Sequence, residues 1–407
     1  PGLSLQQHPA GGGMAEPPVQ IQQSRIPGGP DERRTGVEIQ REIEPRLKNT
    51  TPTDDTDIAD MHLLFSEELA VVDNVLGKVY LTVYANPQKT HDYERATTRL
   101  NTMLQALRQP AQIPASPRLT NHEAHSDFGE AAFKKGVLTC KEYIAAGDCM
   151  QVVLSQRTQR GFDAEPLNLY RALRALNPSP YMYYMDYDDV HIVGASPEIL
   201  VKLDENGTAT VRPIAGTRPR GADIAEDERL SADLLADQKE CAEHLMLIDL
   251  GRNDIGRIAQ IGTVHVTEQM AIEKYSHVLH MVSNVEGKII DGMDAMDVLK
   301  ATFPAGTLSG APKIRAMEIL DELEPTKRGI YGGAVGHLGF FNDIDVAIAI
   351  RTAVIKDKTL YVQAGAGIVA DSDIDAEWNE TRAKMRAVLS AADLACAGLD
   401  TVMGEAQ

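Results

Sequence analysis

The sequence has little of what marks several large classes of protein. Its 407 residues include four cysteines, which have neither CxxC spacing nor the density of a disulfide framework. No apolar run approaches the roughly 20 residues that a membrane-spanning helix needs. Basic residues are outnumbered, with 40 Lys and Arg against 59 Asp and Glu and a formal net charge of -19 at pH 7. Nucleic-acid binding depends on clustered cations, so we expect a cytoplasmic protein that binds neither nucleic acid nor membrane.

The first third of the chain changes character along its length. Residues 1–35 are rich in Gly, Pro and Gln and lack apolar periodicity, which is typical of a flexible arm. Two β-like runs at 69–72 and 78–84 flank a turn containing Gly77 and predict a hairpin. A helix is predicted over 92–107, and a proline-rich connector follows. We therefore divide the chain into an arm, a first region, a main domain and a tail, at residues 1–35, 36–117, 118–395 and 396–407.

The main domain alternates short strands with helices. Strands are predicted at residues 151–157, 181–187, 199–203, 208–211, 260–266, 278–284, 333–341, 345–351 and 360–365. Helices are predicted through 133–144, from Pro166 to about 176, and at 232–250, 311–323 and 375–391. Asn206-Gly207 and Asn342-Asp343 indicate tight antiparallel turns. The pattern therefore favours an α+β fold with large antiparallel sheets over a doubly wound parallel sheet.

Four segments combine glycines, charged side chains and strand ends in a way that packing alone does not require. They are residues 212–221, 240–254, 303–313 and 363–382. Paired glycines let backbone N–H groups approach a ligand closely, which is a common way to hold a carboxylate. Each segment taken alone is equally consistent with ordinary turns, so the functional reading depends on the four together.

Together these segments resemble the chorismate-utilising enzymes, and within them the anthranilate synthase branch, from about Ile58 to Ala391. The resemblance implies a mixed α/β domain with two large, mainly antiparallel sheets wrapped by helices and an active site between the sheets. It also implies a lyase reaction at the head of tryptophan biosynthesis, in which chorismate and ammonia give anthranilate and pyruvate. On this basis residues 36–117 are interpreted as the remnant of the family's N-terminal region.

The resemblance implies a Mg²⁺ cofactor held by Glu243 and Glu380. Elementary chemistry agrees, because chorismate is a dianion and the protein is acidic. Mg²⁺ is a hard ion that is bound through one or two carboxylates, water and substrate oxygens. Glu243 also precedes an apolar run, 245–250, that should draw its helix into the core, where a carboxylate needs a partner.

The family's other site residues carry over to eleven positions. Glu198 matches the general acid that protonates the departing ring hydroxyl, a role that requires burial to raise its pKa. Arg351 can grip a carboxylate bidentately. The resemblance implies chorismate contacts at Gly216, Thr217, Tyr331, Arg351, Gly365, Ala366, Gly367 and Lys384, with Glu198, His280 and Thr307 as the catalytic set. His280 taken without the resemblance is better explained as a core histidine.

Two positions separate the activities within this family. Enzymes that add water to chorismate carry a lysine base where this chain has Gln151, and many aminodeoxychorismate synthases carry a nucleophilic lysine where it has Ala215. Their absence favours anthranilate synthesis with external ammonia. The alternatives are an aminodeoxychorismate synthase, an isochorismate or salicylate synthase, or a truncated, inactive scaffold for the glutaminase.

Ammonia implies a partner, because none of the four cysteines lies in the Gly-x-Cys-x-Gly elbow of a glutaminase. We expect a separate glutamine amidotransferase subunit, and hence a hetero-oligomer. The family's tryptophan site combines an opening Leu-Leu-Glu-Ser segment with a Pro-Tyr-Met segment. Only the second is found here, as Pro180, Tyr181 and Met182. We therefore expect weak inhibition by tryptophan.

Overall fold

The structure is a computed structural model that describes residues 44, 46–47, 51–111, 116–275 and 278–399. The predicted arm at 1–35 and the last residues of the predicted tail, 400–407, lie outside the described residues. The chain forms two compact units. Among the described residues the first unit comprises residues 62–111 and the second comprises the others.

The first unit is a hairpin with one helix. Its elements are β1 (Glu68–Asp73), β2 (Lys78–Val83) and α1 (Asp92–Leu107). Gly77 has φ 61° in the turn, where a side chain is disfavoured. Arg99 of α1 donates two 2.6 Å hydrogen bonds to the Glu68 carboxylate of β1. The predicted hairpin and helix are confirmed.

The second unit holds the remaining elements. Its strands are β3 (His125–Ser126), β4 (Gln151–Gly161), β5 (Tyr181–Tyr187), β6 (Val190–Ser196), β7 (Ile199–Leu203), β8 (Thr208–Val211), β9 (Ile214–Pro219), β10 (His265–Lys274), β11 (Val278–Lys288), β12 (Gly310–Ala311), β13 (Ala334–Leu338), β14 (Ile344–Ile348), β15 (Thr352–Lys356) and β16 (Thr359–Ile368). Its helices are α2 (Glu130–Ala146), α3 (Pro166–Leu176), α4 (Ile224–Ala236), α5 (Gln238–Gly256), α6 (Ala295–Thr302), α7 (Gly306–Ser309), α8 (Lys313–Leu323) and α9 (Ile374–Ala397).

These strands form two seven-stranded antiparallel sheets. The first sheet has the order β10-β11-β8-β7-β14-β13, with β9 also paired to β11. The second has the order β12-β4-β16-β15-β6-β5, with β3 also paired to β4. β14 leads directly into β15, so the chain crosses from one sheet to the other around Arg351. The predicted α+β class with two large antiparallel sheets is confirmed.

Each sheet is covered by helices that bury their apolar faces against it. The first sheet packs on α5 and α6 through residues such as Val211, Ile255 and Val298, all at most 7% exposed. The second sheet packs on α3 and α9 through residues such as Leu173 and Val388, and on α2 and α8 further along the same face. The two cores are separate, and the helices α5 and α9 bring site residues from each.

Several predicted elements differ from the structure. The strand predicted at 260–266 is wrong, because Gly262 turns with φ 81° and the strand begins at His265. The helix predicted at 232–250 is two helices, divided where Asp237 becomes extended and its carboxylate caps the N–H groups of Lys239 and Glu240. The strand predicted at 345–351 ends at Ile348, so Arg351 lies in a link. Strands β3, β6, β9, β12 and β15 and helices α6 and α7 were not predicted.

Candidate active site

Glu198 and Thr307 form a buried pair. Glu198 follows β6, Thr307 lies in α7, and the Thr307 hydroxyl donates a 2.9 Å hydrogen bond to Oε1 of Glu198. Glu198 is 8% exposed. Burial raises the pKa of its carboxyl to about 7, against the lowering effects of Thr307, Lys384 and Arg351. The group can therefore carry a proton near neutral pH, as a general acid must.

Two cations lie beside this pair. Arg351 has φ 52°, a conformation that a residue other than glycine rarely adopts. No hydrogen bond or ion pair between described residues engages its guanidinium, and burial lowers its pKa. Lys384 on α9 is engaged, since its Nζ donates to Gly365 O at 2.8 Å and pairs with Glu380 at 2.7 Å. Arg351 is thus a half-buried cation with no ion-pair partner among the described residues, although Glu198 and Glu380 act on its pKa, and it is free to bind an anion.

His280, Thr217 and Gly216 form the wall contributed by the first sheet. Strand β9 pairs with β11, so that His280 Nδ1 lies 3.2 Å from both the Thr217 hydroxyl and the Gly216 carbonyl. Gly216 has φ 66°, and a Cβ there would lie 3.2 Å from Oε2 of Glu240. Burial lowers the pKa of His280, with a further lowering effect from Arg351. The imidazole is therefore neutral near pH 7 and can accept a proton.

Tyr331, in the turn before β13, and strand β16 of the second sheet form another wall. A Cβ on Gly365 would lie 3.0 Å from the Tyr331 hydroxyl, so this glycine gives the ring its room. Ala366 is fully buried, and a Cβ on Gly367 would lie 2.7 Å from Nε2 of Gln151. Close backbone approach thus explains both glycines of the motif. Tyr331 is 8% exposed, and burial raises its pKa.

Four carboxylates from α5 and α9 face one another. Burial raises the pKa of Glu243 to about 7, and the neighbouring carboxylates Glu240 and Glu377 raise it further. Glu380 in turn raises the pKa of both Glu240 and Glu377. Glu377 is 8% exposed, and its Oε2 has no hydrogen-bond partner among the described residues. Glu377 is thus buried, Glu240 and Glu243 are half-buried and Glu380 is exposed, and a cation would stabilise this cluster of carboxylates.

Glu240 and Glu377 are not among the residues predicted from the sequence, although the sequence contains a signal for them. Each lies three residues before a predicted metal ligand, and residues three apart share one face of a helix. Within the described part of the chain, no three His, Cys, Asp or Glu side chains come close enough to hold a metal ion by themselves. The donor set therefore suits an ion that takes only one or two carboxylates and completes its shell with water and ligand oxygens, as Mg²⁺ does.

Arg328 and Glu324 form an ion pair next to the site, and the sequence analysis did not predict it. Arg328 is bound to Glu324 through two hydrogen bonds of 2.7 and 2.6 Å. The same guanidinium donates to Leu308 O at 2.5 Å and Val153 O at 2.7 Å, and it lies 5.5 Å from the Tyr331 ring centroid. One buried ion pair therefore connects Tyr331, the helix that carries Thr307 and the strand opposite the β16 glycines.

A family model described as chorismate binding enzyme matches residues 34–390. This range contains every predicted site residue, from Pro180 to Lys384. We call the space between Glu198, Arg351, His280, Tyr331 and strand β16 the pocket. This chain belongs to the chorismate binding enzyme family.

Relatives within the family share most of the chain. Anthranilate synthase component 1 of Neisseria meningitidis serogroup B is 61% identical over 355 residues, which cover 87% of this chain and 72% of that protein. Anthranilate synthase component 1 of Pseudomonas aeruginosa is 53% identical, covering 88% of this chain and 74% of that protein.

Solved structures agree. Anthranilate synthase component I from Streptococcus pneumoniae superposes with a TM-score of 0.80 at 41% identity, covering 88% of this chain and 79% of that one. The menaquinone-specific isochorismate synthase of Escherichia coli shares the fold, with a TM-score of 0.70 at 22% identity over 88% of this chain and 84% of that one. Among the described residues no helix combines the length and apolarity needed to cross a membrane.

The two positions that separate activities within the family lie at the pocket. Gln151 is 7% exposed and packs on Gly367. Ala215 pairs with Met281 in the first sheet, directly before Gly216. Neither side chain can act as a base or an amine nucleophile.

The remaining predicted residues lie elsewhere. Pro180 precedes β5, the outermost strand of the second sheet, and Tyr181 and Met182 begin it. The Tyr181 hydroxyl donates a 2.8 Å hydrogen bond to Asp345 of the first sheet, and Met182 packs against the core under α3 and α9. The tryptophan-site assignment stays a prediction.

Proposed function

We propose that this chain is the synthase component of an anthranilate synthase, which converts chorismate and ammonia to anthranilate, pyruvate and water. The observation that carries the proposal is the placement of a protonatable buried acid, Glu198, beside Arg351, a half-buried cation with no ion-pair partner among the described residues, with a carboxylate cluster nearby. A dianionic substrate would neutralise Arg351 and take the proton of Glu198, and a divalent cation would neutralise the carboxylate cluster.

Substrate binding would use both walls of the pocket. Arg351 and Lys384 offer positive charge to the carboxylates of chorismate, and the β16 backbone offers space beside Gly365 and Gly367. Lys384 already neutralises Glu380 at 2.7 Å, so a ligand must share or displace that contact. Tyr331, in the turn before β13, and Thr217 on β9 would position the ring.

Mg²⁺ would be held by Glu243 and Glu380, with Glu240 and Glu377 adding negative charge around it. The metal would supply electrostatic stabilisation of a substrate carboxylate that the acidic protein otherwise repels. The orphaned Oε2 of Glu377 and the raised pKa values of Glu240, Glu243 and Glu377 support the fit.

The first chemical step is substitution on the ring. Glu198 donates its proton to the ring hydroxyl, the carbon–oxygen bond breaks with its electron pair on oxygen, and water leaves. Ammonia forms the new carbon–nitrogen bond and then loses a proton. Because burial holds the pKa of Glu198 near 7, the carboxyl is a strong enough acid to give this proton and weak enough to carry it at neutral pH.

The second step is elimination of pyruvate, which makes the ring aromatic. It needs a base for a ring proton, and the enolpyruvyl carbon–oxygen bond breaks as the proton leaves. His280 is the candidate that the site offers, since its imidazole is buried, neutral and held by Thr217 and Gly216.

Ammonia would come from a separate amidotransferase component. The buried thiols Cys140, Cys149 and Cys396 lack solvent access, and Cys241 bonds the carbonyl of Leu235 at the surface. A glutaminase nucleophile instead needs an exposed, activated thiolate. The partner makes the assembly a hetero-oligomer.

The test is the nitrogen source. Purified chain with chorismate, Mg²⁺ and ammonium should form fluorescent anthranilate and pyruvate in equal amounts, and glutamine should not replace ammonium until an amidotransferase component is added. Formation of isochorismate or aminodeoxychorismate as the end product would assign a sister activity. No turnover by a folded chain that binds chorismate would favour the scaffold alternative.

A further inference from the structure

A cavity outside the predicted substrate-binding residues reaches Glu198. It has a volume of about 40 Å³ and lies between strands β7 and β8 and helices α5 and α7. Its walls are largely apolar, with Leu200, Val211, Leu247 and Leu250 among them. Arg351, Lys384, Tyr331 and the β16 glycines do not border it. Of the catalytic set, Glu198 and Thr307 border it, so it meets the site at these two residues.

The size of the cavity restricts its occupant. A single water needs roughly 10–15 Å³ by this kind of measure, so about three waters fit and a chorismate ring does not. Apolar cavities of this size stay dry unless polar groups line them. This one is lined by polar residues as well, among them Glu198, Thr307 and Asp254, whose carboxylate is paired with Lys313.

One carboxylate oxygen of Glu198 is available to such a water. Oε1 accepts the Thr307 hydroxyl at 2.9 Å, and no hydrogen bond between described residues reaches Oε2. The cavity is also bordered by Arg212, whose side chain is 28% exposed and is held by Glu273. Its lining thus runs from a buried acid to the protein surface.

We propose that this cavity is a water site that serves Glu198, receiving the water released from the substrate and returning a proton to the carboxylate. The proposal rests on the general-acid role under the proposed function. When the ring carbon–oxygen bond breaks, the hydroxyl leaves with the Glu198 proton as water. The ammonium group formed on the ring then loses a proton, which the cavity waters carry back to Glu198. Atoms and charge balance without a further reactant.

Filling the cavity tests the proposal. Val211→Ile adds one methyl group to the wall, Leu247→Phe fills more, and Val211→Ala enlarges the space. Val137→Ile is the matched control, because Val137 is fully buried in the separate core between α2 and the second sheet. The first readout is the pKa of Glu198 in ligand-free protein, from NMR of ¹³C-labelled glutamate assigned with Glu198→Gln.

Loss of water around a carboxylate raises its pKa, so we expect both filling variants to raise the pKa of Glu198 by about half a unit or more, and Val211→Ala to lower it. The control should leave it within about 0.2 units. In turnover, filling should lower kcat roughly tenfold with little change in the KM for ammonium.

A pKa of Glu198 that is the same in all five proteins would overturn the proposal. So would a high-resolution crystal structure in which the cavity is dry. A raised KM for ammonium at unchanged Glu198 pKa would instead make the cavity an inlet for the nucleophile. Because the NMR titration needs no turnover, it remains decisive even if the chain proves inactive with ammonium.

Discussion

The cationic end of the pocket and its carboxylate end carry opposite imbalances of charge. At the first, Arg351 is half-buried with no ion-pair partner among the described residues. At the second, four glutamates come from two helices, and burial together with neighbouring carboxylates raises the pKa of Glu240, Glu243 and Glu377. The cations near them include Lys384, Lys239 and Arg218. Elsewhere in the same unit buried charges are matched, as in Lys313–Asp254 at 2.8 Å. This contrast indicates that an anionic ligand would balance the charge at Arg351 and that a cation would balance the charge of the four glutamates.

Removing one carboxylate should give the largest effect. Glu380→Gln is expected to lower kcat/KM at least about 1,000-fold with the fold intact, because the metal loses one of two protein ligands. Steady-state kinetics across a Mg²⁺ titration would measure it. Glu228→Gln, an exposed carboxylate on α4, is the control and should change kcat/KM less than about twofold. Full activity of Glu380→Gln would place the metal elsewhere.

Breaking the matched pair should instead cost stability. Lys313→Met leaves Asp254 buried and unpaired, so we expect the free energy of unfolding to fall by about 3–5 kcal/mol. Denaturant titration gives the value. The double variant Lys313→Met/Asp254→Leu should recover much of the loss, since it removes both buried charges. If Lys313→Met unfolds at the same denaturant concentration as the parent, the pair is not a stabilising feature.

The buried acid should make stability depend on pH. Its pKa is raised by burial from 4.5 to about 7. The folded state therefore holds the Glu198 proton more tightly, and this stabilisation is complete below about pH 4.5 and is lost as the pH rises through 7. Relative to Glu198→Gln, the parent should lose on the order of 3 kcal/mol of unfolding free energy between about pH 4 and pH 8. A constant difference between the two proteins over this range would contradict the assignment.

The geometry of the half-buried cation should matter as well as its charge. Arg351→Lys keeps the charge but loses the planar fork, so we expect kcat/KM for chorismate to fall about 30- to 150-fold, mainly through KM. Initial rates at varied chorismate measure the split. An unchanged KM would mean that Arg351 does not bind a substrate carboxylate.

Sequence reasoning predicted the elements whose pattern is local. The hairpin at β1 and β2 and the helix α1 have turn and periodicity signals within their own residues, and α1 has the predicted bounds. Strand β10 was misplaced because it is largely polar and carries two irregularities, one near Met270 with φ 53°. Its position is determined by pairing with β11, and the sequence of β10 alone does not indicate that partner.

The site was predicted in the same partial way. The predicted residues lie on motifs that a family resemblance identifies, and the catalytic and substrate-binding ones meet at the pocket. Glu240, Glu377 and Arg328 were missed because their roles depend on which helix faces which. The unpaired state of Arg351 follows from burial and from the link between the two sheets, which only the folded chain shows.

The most direct test is whether chorismate and Mg²⁺ bind cooperatively, chorismate at the cationic end of the pocket and Mg²⁺ at the carboxylate end. Chorismate binding to the purified chain is measured with and without Mg²⁺, in the absence of ammonia. Calorimetry should show that Mg²⁺ tightens chorismate binding at least about tenfold, and that chorismate tightens Mg²⁺ binding by the same factor, because the coupling is reciprocal. Glu228→Gln should retain this coupling and Glu380→Gln should lose it. Equal chorismate affinity in Mg²⁺ and in chelator would contradict the account.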